Sequence, residues 1–347
     1  DKKVPQVKFV DRTFNCRHDH AMAIWTYIHE HDNGITNFHF EVSADLLNEK
    51  EIALINRMRP GLIQLEIGVQ SANEITIREI NRTMKIDVLS TIVDKIKKGN
   101  NVHQHLDLIA GLPYEGYESF GKSFDRVYKM NPEQLQLGFL KVLKGSVMHD
   151  RAQEYGIVYQ DRAPYEVLST KWLTYAEVIR LKQIEEMVEV YYNSGQFCCT
   201  MAALEQEFAS PFCMYECLAA YYDEKNAFAV SHSRIGRYEI LYDFIVKTCK
   251  ERSEQYMEML TLDMYLRDNV KKRPEFLRES GVSSDEAAAF YKKEEKERTY
   301  LKAYEGYDRR QMRKMTHLER IDGKTVLFDY KNRDPLTGNA AIYYLSE

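Results

Sequence analysis

Residues 62–70 read LIQLEIGVQ and residues 101–115 read NVHQHLDLIAGLPYE, and these two stretches decide the fold. In the first, Ile63, Leu65, Ile67 and Val69 alternate with Gln64, Glu66, Gly68 and Gln70. In the second, Val102, Gln104, Leu106 and Leu108 alternate with His103, His105 and Asp107. Period-two alternation marks a strand with one apolar and one polar face. Between them, Ser71 to Lys98 carries Ile75, Ile77, Ile80, Ile86, Val88, Leu89, Ile92, Val93 and Ile96 at roughly helical spacing. Two strands joined by a crossover of that length form a parallel βαβ unit, with the apolar faces packed on helices. The other faces, with Glu66, Gln70, His103, His105 and Asp107, line an interior that branched aliphatics fill in an ordinary barrel. A polar lining costs desolvation unless something polar sits inside. The interior is therefore read as a site.

Working outward, Gln6 to Val10 reads as a strand that follows DKKVP directly, as in a chain starting partway through a domain. A helix over 19–31 stops near Asn33-Gly34. Residues 35–43 form the next strand, whose Asn37, His39, Glu41 and Ser43 repeat the polar inner face. Residues 48–58 are helical, and Arg59-Pro60-Gly61 breaks them before the central strand. A helix over 117–130 and a strand over 134–142 follow. Five strands near 6–10, 35–43, 62–70, 102–109 and 134–142, separated by helices, predict a parallel sheet.

The character changes after Lys144. Thr174 and Glu177 form a capping-box pattern at the head of a helix running to Tyr192. Further helices are expected near 200–207, 213–223, 233–250, 252–269 and 284–304. Residues 315–321 and 325–330 flank Asp322-Gly323, a hairpin signal, and 340–345 supplies a third strand. The fold class is α/β plus α: a partial (β/α) barrel of parallel strands over 1–150, then a mainly helical domain over 151–347 ending in a small β meander.

At 347 residues with 44% hydrophobic content the chain supports a substantial core. A formal charge of −5 gives no pull toward nucleic acid or an anionic membrane, and no apolar run approaches the ~20 residues of a membrane span. Six irregularly placed cysteines without a secretory signal read as reduced thiols of a cytoplasmic protein. The charged run 292–298 reads as a solvated helix face.

With the strands placed, VKFVDRTFN, FHFEVSADLL, EIGVQS followed by INR, and HLDLIAGLPYE resemble strands two to five of the radical S-adenosylmethionine (SAM) enzymes, and QLQLGFLKVLKGS resembles strand six. The spacing is specific: twelve residues separate Gln70 from Arg82 and twenty-five separate Arg82 from Asp107, as in the coproporphyrinogen-oxidase-like branch. The remainder, including YEVLSTKWL and EVYYNSGQF, is similar to an uncharacterised domain that follows the radical SAM domain in one anaerobe-rich group. The resemblance implies that Glu41, Gln70 and Asp107 hold the ribose hydroxyls and neighbouring groups of SAM. It implies that Arg82 pairs with the methionine carboxylate, a task suited to a guanidinium fork, and that Ile109 and Val142 flank the adenine. Glu66, His103 and His105 are then expected to line a pocket for a small-molecule or otherwise unknown substrate.

The family holds its 4Fe–4S cluster with a CxxxCxxC loop after the first strand. Cys16 stands alone, Cys198-Cys199 are adjacent, and Cys213 and Cys217 lack a third partner. The cluster ligands are therefore expected outside this chain, which by this reading lacks the first strand and its loop, assembles no cluster and is inactive alone. Members of that group usually begin with a cobalamin-binding domain, so cobalamin is implied through a domain not in this chain. The open sheet edge predicts self-association. Two other readings stand beside this one: a metal-dependent barrel enzyme using His103, His105 and Glu66, and a non-catalytic module whose helical half, about 170–310, docks a partner.

Overall fold

Alternating apolar and polar residues build the first half of the chain, and a computed structural model describes residues 4–270 and 272–345. Five strands, β1 (Gln6–Lys8), β2 (Asn37–Val42), β3 (Ile63–Gln70), β4 (His103–Ala110) and β5 (Gln134–Phe139), form one parallel sheet in the order β1-β2-β3-β4-β5. The sheet curls into a half-barrel. Helices α1 (His18–Glu30), α2 (Glu49–Ile55), α3 (Glu74–Glu79), α4 (Ile86–Lys97) and α5 (Tyr117–Tyr128) make the crossovers. On the helix side, Phe40, Leu65, Ile67, Val69, Leu106, Leu108 and Leu135 are fully buried. Each such side chain contributes about 1.5–3 kcal/mol over its exposed state. Phe14, Trp25 and Phe40 pack as an aromatic cluster that seats α1. Asn48 caps α2 in a capping box with Glu51.

Short elements follow: α6 (Val147–Asp150) and a hairpin of β6 (Val158–Tyr159) and β7 (Val167–Ser169). Helix α7 (Tyr175–Val188) opens with the expected Thr174–Glu177 capping box and runs into a single π-helical turn, Glu189–Asn193. Next come α8 (Cys198–Leu204), α9 (Pro211–Glu224), α10 (Arg234–Thr248), α11 (Ser253–Arg267), α12 (Ser284–Glu297) and α13 (Arg309–Met315). Strands β8 (Thr316–Ile321), β9 (Lys324–Arg333) and β10 (Ala340–Tyr344) form an antiparallel sheet in the order β10-β9-β8. Asp322 and Gly323 both take left-handed φ at its hairpin. No helix among the described residues is long and apolar enough to cross a membrane.

The chain divides into two compact units, residues 1–193 with 208–220, and residues 194–207 with 221–347. In the second, the buried carboxylate of Asp263 accepts from the backbone of Cys199 at 2.9 Å and Thr200 at 2.8 Å, capping α8. Tyr291, Leu301, Tyr304, Met312, Leu318 and Leu327 form the core under the meander.

The architecture is the expected one, and the element bounds differ where backbone hydrogen bonds are spent elsewhere. The stretch 71–98 is two helices broken at 80–85, where Asn81 takes φ +56°. Strand β5 ends three residues early, because the Val142 amide donates to Tyr165. Helix α12 stops at Glu297, with Arg298 left-handed, rather than running to 304.

Candidate functional site on the polar face of the half-barrel

The site grows from β3 and its irregular end. Up to Gly68 the strand stays in register with β4, so that Glu66 sits beside His105 and Gly68 beside Asp107; the register then shifts and Gln70 pairs with Leu108. Gln70 itself lies at φ +71°, a conformation costly for a side chain other than glycine's. That bulge carries the Gln70 amide onto Asp107, where Nε2 donates to Oδ2 at 2.8 Å. Gly68 forms the floor. A Cβ there would lie 2.8 Å from Gln70 Nε2 and 3.3 Å from Arg82 Nη2, so the missing side chain lets both approach. Arg82, just beyond α3, donates Nη1 to the Gly68 carbonyl at 2.6 Å. Three residues far apart in sequence thus meet around one glycine.

Electrostatics distinguish the carboxylates. Burial, reinforced by the charge of Glu66, pushes Asp107 up to about 7, against the opposing pull of Arg82 and the Gln70 hydrogen bond. Burial also acts on Glu66, but the Lys8 hydrogen bond and charge, with His105 and His39, hold it below the usual carboxylate range. Lys8 Nζ lies 3.2 Å from both Glu41 Oε1 and Glu66 Oε2, bridging carboxylates whose backbones are direct neighbours on β2 and β3. His39 Nε2 approaches Glu66 Oε2 at 2.8 Å without hydrogen-bonding alignment.

His103 and His105 sit on the same face of β4, two and one steps below Asp107. Burial pushes both imidazoles below their ordinary value. His103 Nδ1 and His105 Nε2 are buried without a hydrogen-bond partner. Ile109 and Val142 come together elsewhere: Val142 is fully buried in an apolar cluster with Leu112, Leu140, Tyr155 and Val167, and Ile109 packs against it. Above the strand ends, the buried Glu115 accepts from the hydroxyls of Ser71 and Ser123 at 2.7 Å each, tying the segments after β3 and β4 together.

The polar residues named from sequence therefore fall into two joined groups, Gln70–Asp107–Arg82 and Glu41–Glu66–His105–His103. Sequence reasoning left Lys8, His39 and Gly68 without a role. His39 was legible by its inward parity on β2; Lys8 matters only because of which strand neighbours β1.

The donor set suits SAM. A guanidinium stands ready for a carboxylate, a buried carboxyl and amide for hydroxyls, and a glycine floor for close approach. An iron–sulfur cluster does not fit the described residues. Among them no three His, Cys, Asp or Glu side chains converge to hold a metal ion, and Glu66 is engaged by Lys8 and His39. Cys213 and Cys217 lie one turn apart on α9 and hydrogen-bond to each other; burial and that neighbour push Cys217 up to about 11.

Comparison with known proteins gives two kinds of answer. A family model described as "Protein of unknown function (DUF4080)" matches residues 153–335. The oxygen-independent coproporphyrinogen III oxidase of Salmonella typhimurium is 29% identical over 107 residues, which is 29% of this chain and 23% of that protein. The chain thus matches less than a quarter of that relative's length. The E. coli coproporphyrinogen III oxidase HemN, described as a radical SAM enzyme, superimposes with a TM-score of 0.34 at 21% identity, covering 39% of this chain and 31% of that one. The radical SAM methyltransferase TsrM from Kitasatospora setae, with cobalamin and a [4Fe-4S] cluster bound, gives 0.38 at 12% identity, covering 45% and 30%. The likeness to radical SAM enzymes, and of residues 153–335 to an uncharacterised domain, is borne out.

Proposed function

The chain belongs to the DUF4080 family of proteins of unknown function, and from that footing we propose that it is part of a cytoplasmic radical SAM enzyme whose half-barrel binds SAM on its polar face. The observation that carries this reading is the meeting of Gln70, Arg82 and Asp107 around Gly68. Arg82, anchored by the Gly68 carbonyl, turns its guanidinium to the methionine carboxylate. Asp107, oriented by the Gln70 amide, accepts from the ribose hydroxyls, with Glu41 serving the neighbouring polar groups. Ile109, partly exposed against the cluster that encloses Val142, flanks the adenine, with Val142 backing it from within the core.

In enzymes of this type SAM, cleaved at a reduced 4Fe–4S cluster, supplies a hydrogen-abstracting 5′-deoxyadenosyl radical. The share of this chain is to bind, orient and exclude water. We assign neither the cluster nor cobalamin to any of its residues. Glu66, His103 and His105, below the SAM residues, line the substrate pocket.

Calorimetric titration with S-adenosylhomocysteine tests the proposal. Arg82→Ala removes a charge-assisted pair and is expected to weaken binding by about 10–100-fold. No binding, or affinity indifferent to both Arg82→Ala and Asp107→Ala, would overturn it and favour the non-catalytic module.

A further inference from the structure

Below the Arg82–Asp107 level the polar face changes character. His39, Gln64 and His103 are lateral neighbours across β2, β3 and β4, and Glu66 and His105 are neighbours one step above. His105 is 6% exposed and His39 9%, and the unpartnered nitrogens of His103 and His105 belong to this tier. Buried polar atoms in folded proteins nearly always find a partner. Two unmet imidazole nitrogens on one strand face, two residues apart, leave hydrogen-bonding capacity inside the half-barrel for another molecule to meet.

The charge of the interior limits what that molecule presents. With Asp107 ionised, three carboxylates (Glu41, Glu66 and Asp107) face two cations, Lys8 and Arg82. SAM carries a sulfonium and an ammonium against one carboxylate, a net single positive charge, and balances the set. A further anion would meet Glu66 and Asp107. A further cation would meet Lys8 and the sulfonium. Glu133, whose charge also reaches His103, is already taken up by Lys97 at 3.8 Å and by the Gln104 amide at 2.8 Å. His103 and His105, pushed below their ordinary value by burial, are neutral rings; Gln136 hydrogen-bonds His105, and one nitrogen of each ring, His103 Nδ1 and His105 Nε2, is left to serve as donor or acceptor according to tautomer.

We infer that the His39–His103–His105 tier recognises an uncharged group of the substrate carrying both a hydrogen-bond donor and an acceptor, such as a carboxamide, lactam or imide. The inference rests on the SAM reading for its charge balance. It adds His39 to the pocket and excludes carboxylate and amine groups from this level of the barrel.

The test uses the whole chain labelled with ¹⁵N at histidine. Long-range ¹H–¹⁵N spectra are recorded with SAM at saturation, so that the interior charge is balanced, during titration with acetamide, sodium acetate and methylammonium chloride, each to roughly 100 mM, the range a four-atom fragment needs. Acetamide is expected to move the ring nitrogens of His103 and His105 saturably, with the charged fragments inert at equal ionic strength. His103→Gln and His105→Gln assign the signals, and the wild-type spectra carry the result if either variant fails to fold. Acetate or methylammonium acting as strongly as acetamide, or rings that no fragment moves, would overturn the inference. Binding of S-adenosylhomocysteine with imidazoles indifferent to acetamide sinks this inference alone. Imidazoles that respond in a chain indifferent to S-adenosylhomocysteine sink the SAM reading and leave the tier.

Discussion

At the scale of single residues, Gly68 separates ligand binding from stability. An added methyl would press on the far ends of the Gln70 and Arg82 side chains rather than on backbone, so the native state can give way cheaply. Gly68→Ala is expected to weaken S-adenosylhomocysteine about tenfold, the worth of one well-placed hydrogen bond, while the melting temperature moves by only a few degrees. Calorimetry beside a thermal scan checks both halves.

Asp107 makes the binding pH-dependent. If its carboxylate form accepts from the ligand, affinity climbs by about tenfold between pH 6 and pH 8, following ionisation near 7. Asp107→Asn should flatten that profile at the low-affinity end. The same raised value has the opposite sign for folding. The native carboxyl keeps its proton where the unfolded one has lost it, so its contribution is intact below about pH 4 and lost as pH rises through 7. Asp107→Asn is therefore expected to be more stable than wild type at pH 8, by roughly 1–4 kcal/mol, with the gap closing toward pH 4. Denaturant titrations at the two pH values decide it.

At the scale of elements, the outer edge of β5 shows how the sheet is finished. The side-chain amide of Asn193 accepts from the Leu135 backbone N–H and donates to its carbonyl, both at 2.9 Å, as a neighbouring strand would. It sits at the end of the π-helical turn that follows α7. Asn193→Ala leaves both backbone groups unmet, and a loss of about 1–3 kcal/mol is expected, with faster hydrogen exchange at the Leu135 amide.

This pairing also marks where sequence reading stops. Alternation over 62–70 and 102–109 showed two strands and a polar face, because side-chain direction follows parity alone. The spacing of Gln70, Arg82 and Asp107 then named three residues that do meet. Hidden were the features set by distant partners: the bulge that swings Gln70 onto Asp107, the bridge from Lys8 to two carboxylates, and the Asn193 cap. The hairpin of β6 and β7 escaped because strands of two or three residues have no period to detect. Helix α13 escaped although its Asp308–Gln311 capping box was visible, since it is only seven residues long and runs straight into β8.

At the scale of the molecule, the opposite edge of the sheet differs. Strand β1 is three residues long and ends the sheet order; Val10 just beyond it is 89% exposed. An uncovered strand edge invites pairing, and association rising with concentration is expected in light scattering coupled to size exclusion. Gln6→Pro removes an outward-facing backbone donor, since residues 5 and 9 already bond β2 on the other side, and should shift the equilibrium toward monomer; a sample monomeric at every concentration counts against the idea.

The two margins of the sheet have unequal consequences. With the Leu135 groups met from within, the β5 border is interrupted at that residue, while among the described residues no such side-chain cap is seen on β1. Copies meeting through their β1 borders exhaust those borders in a single face-to-face encounter, related by a twofold axis. Growth by further β1 pairing then halts at the pair, and a ribbon propagating from chain to chain would have to displace the Asn193 cap on β5.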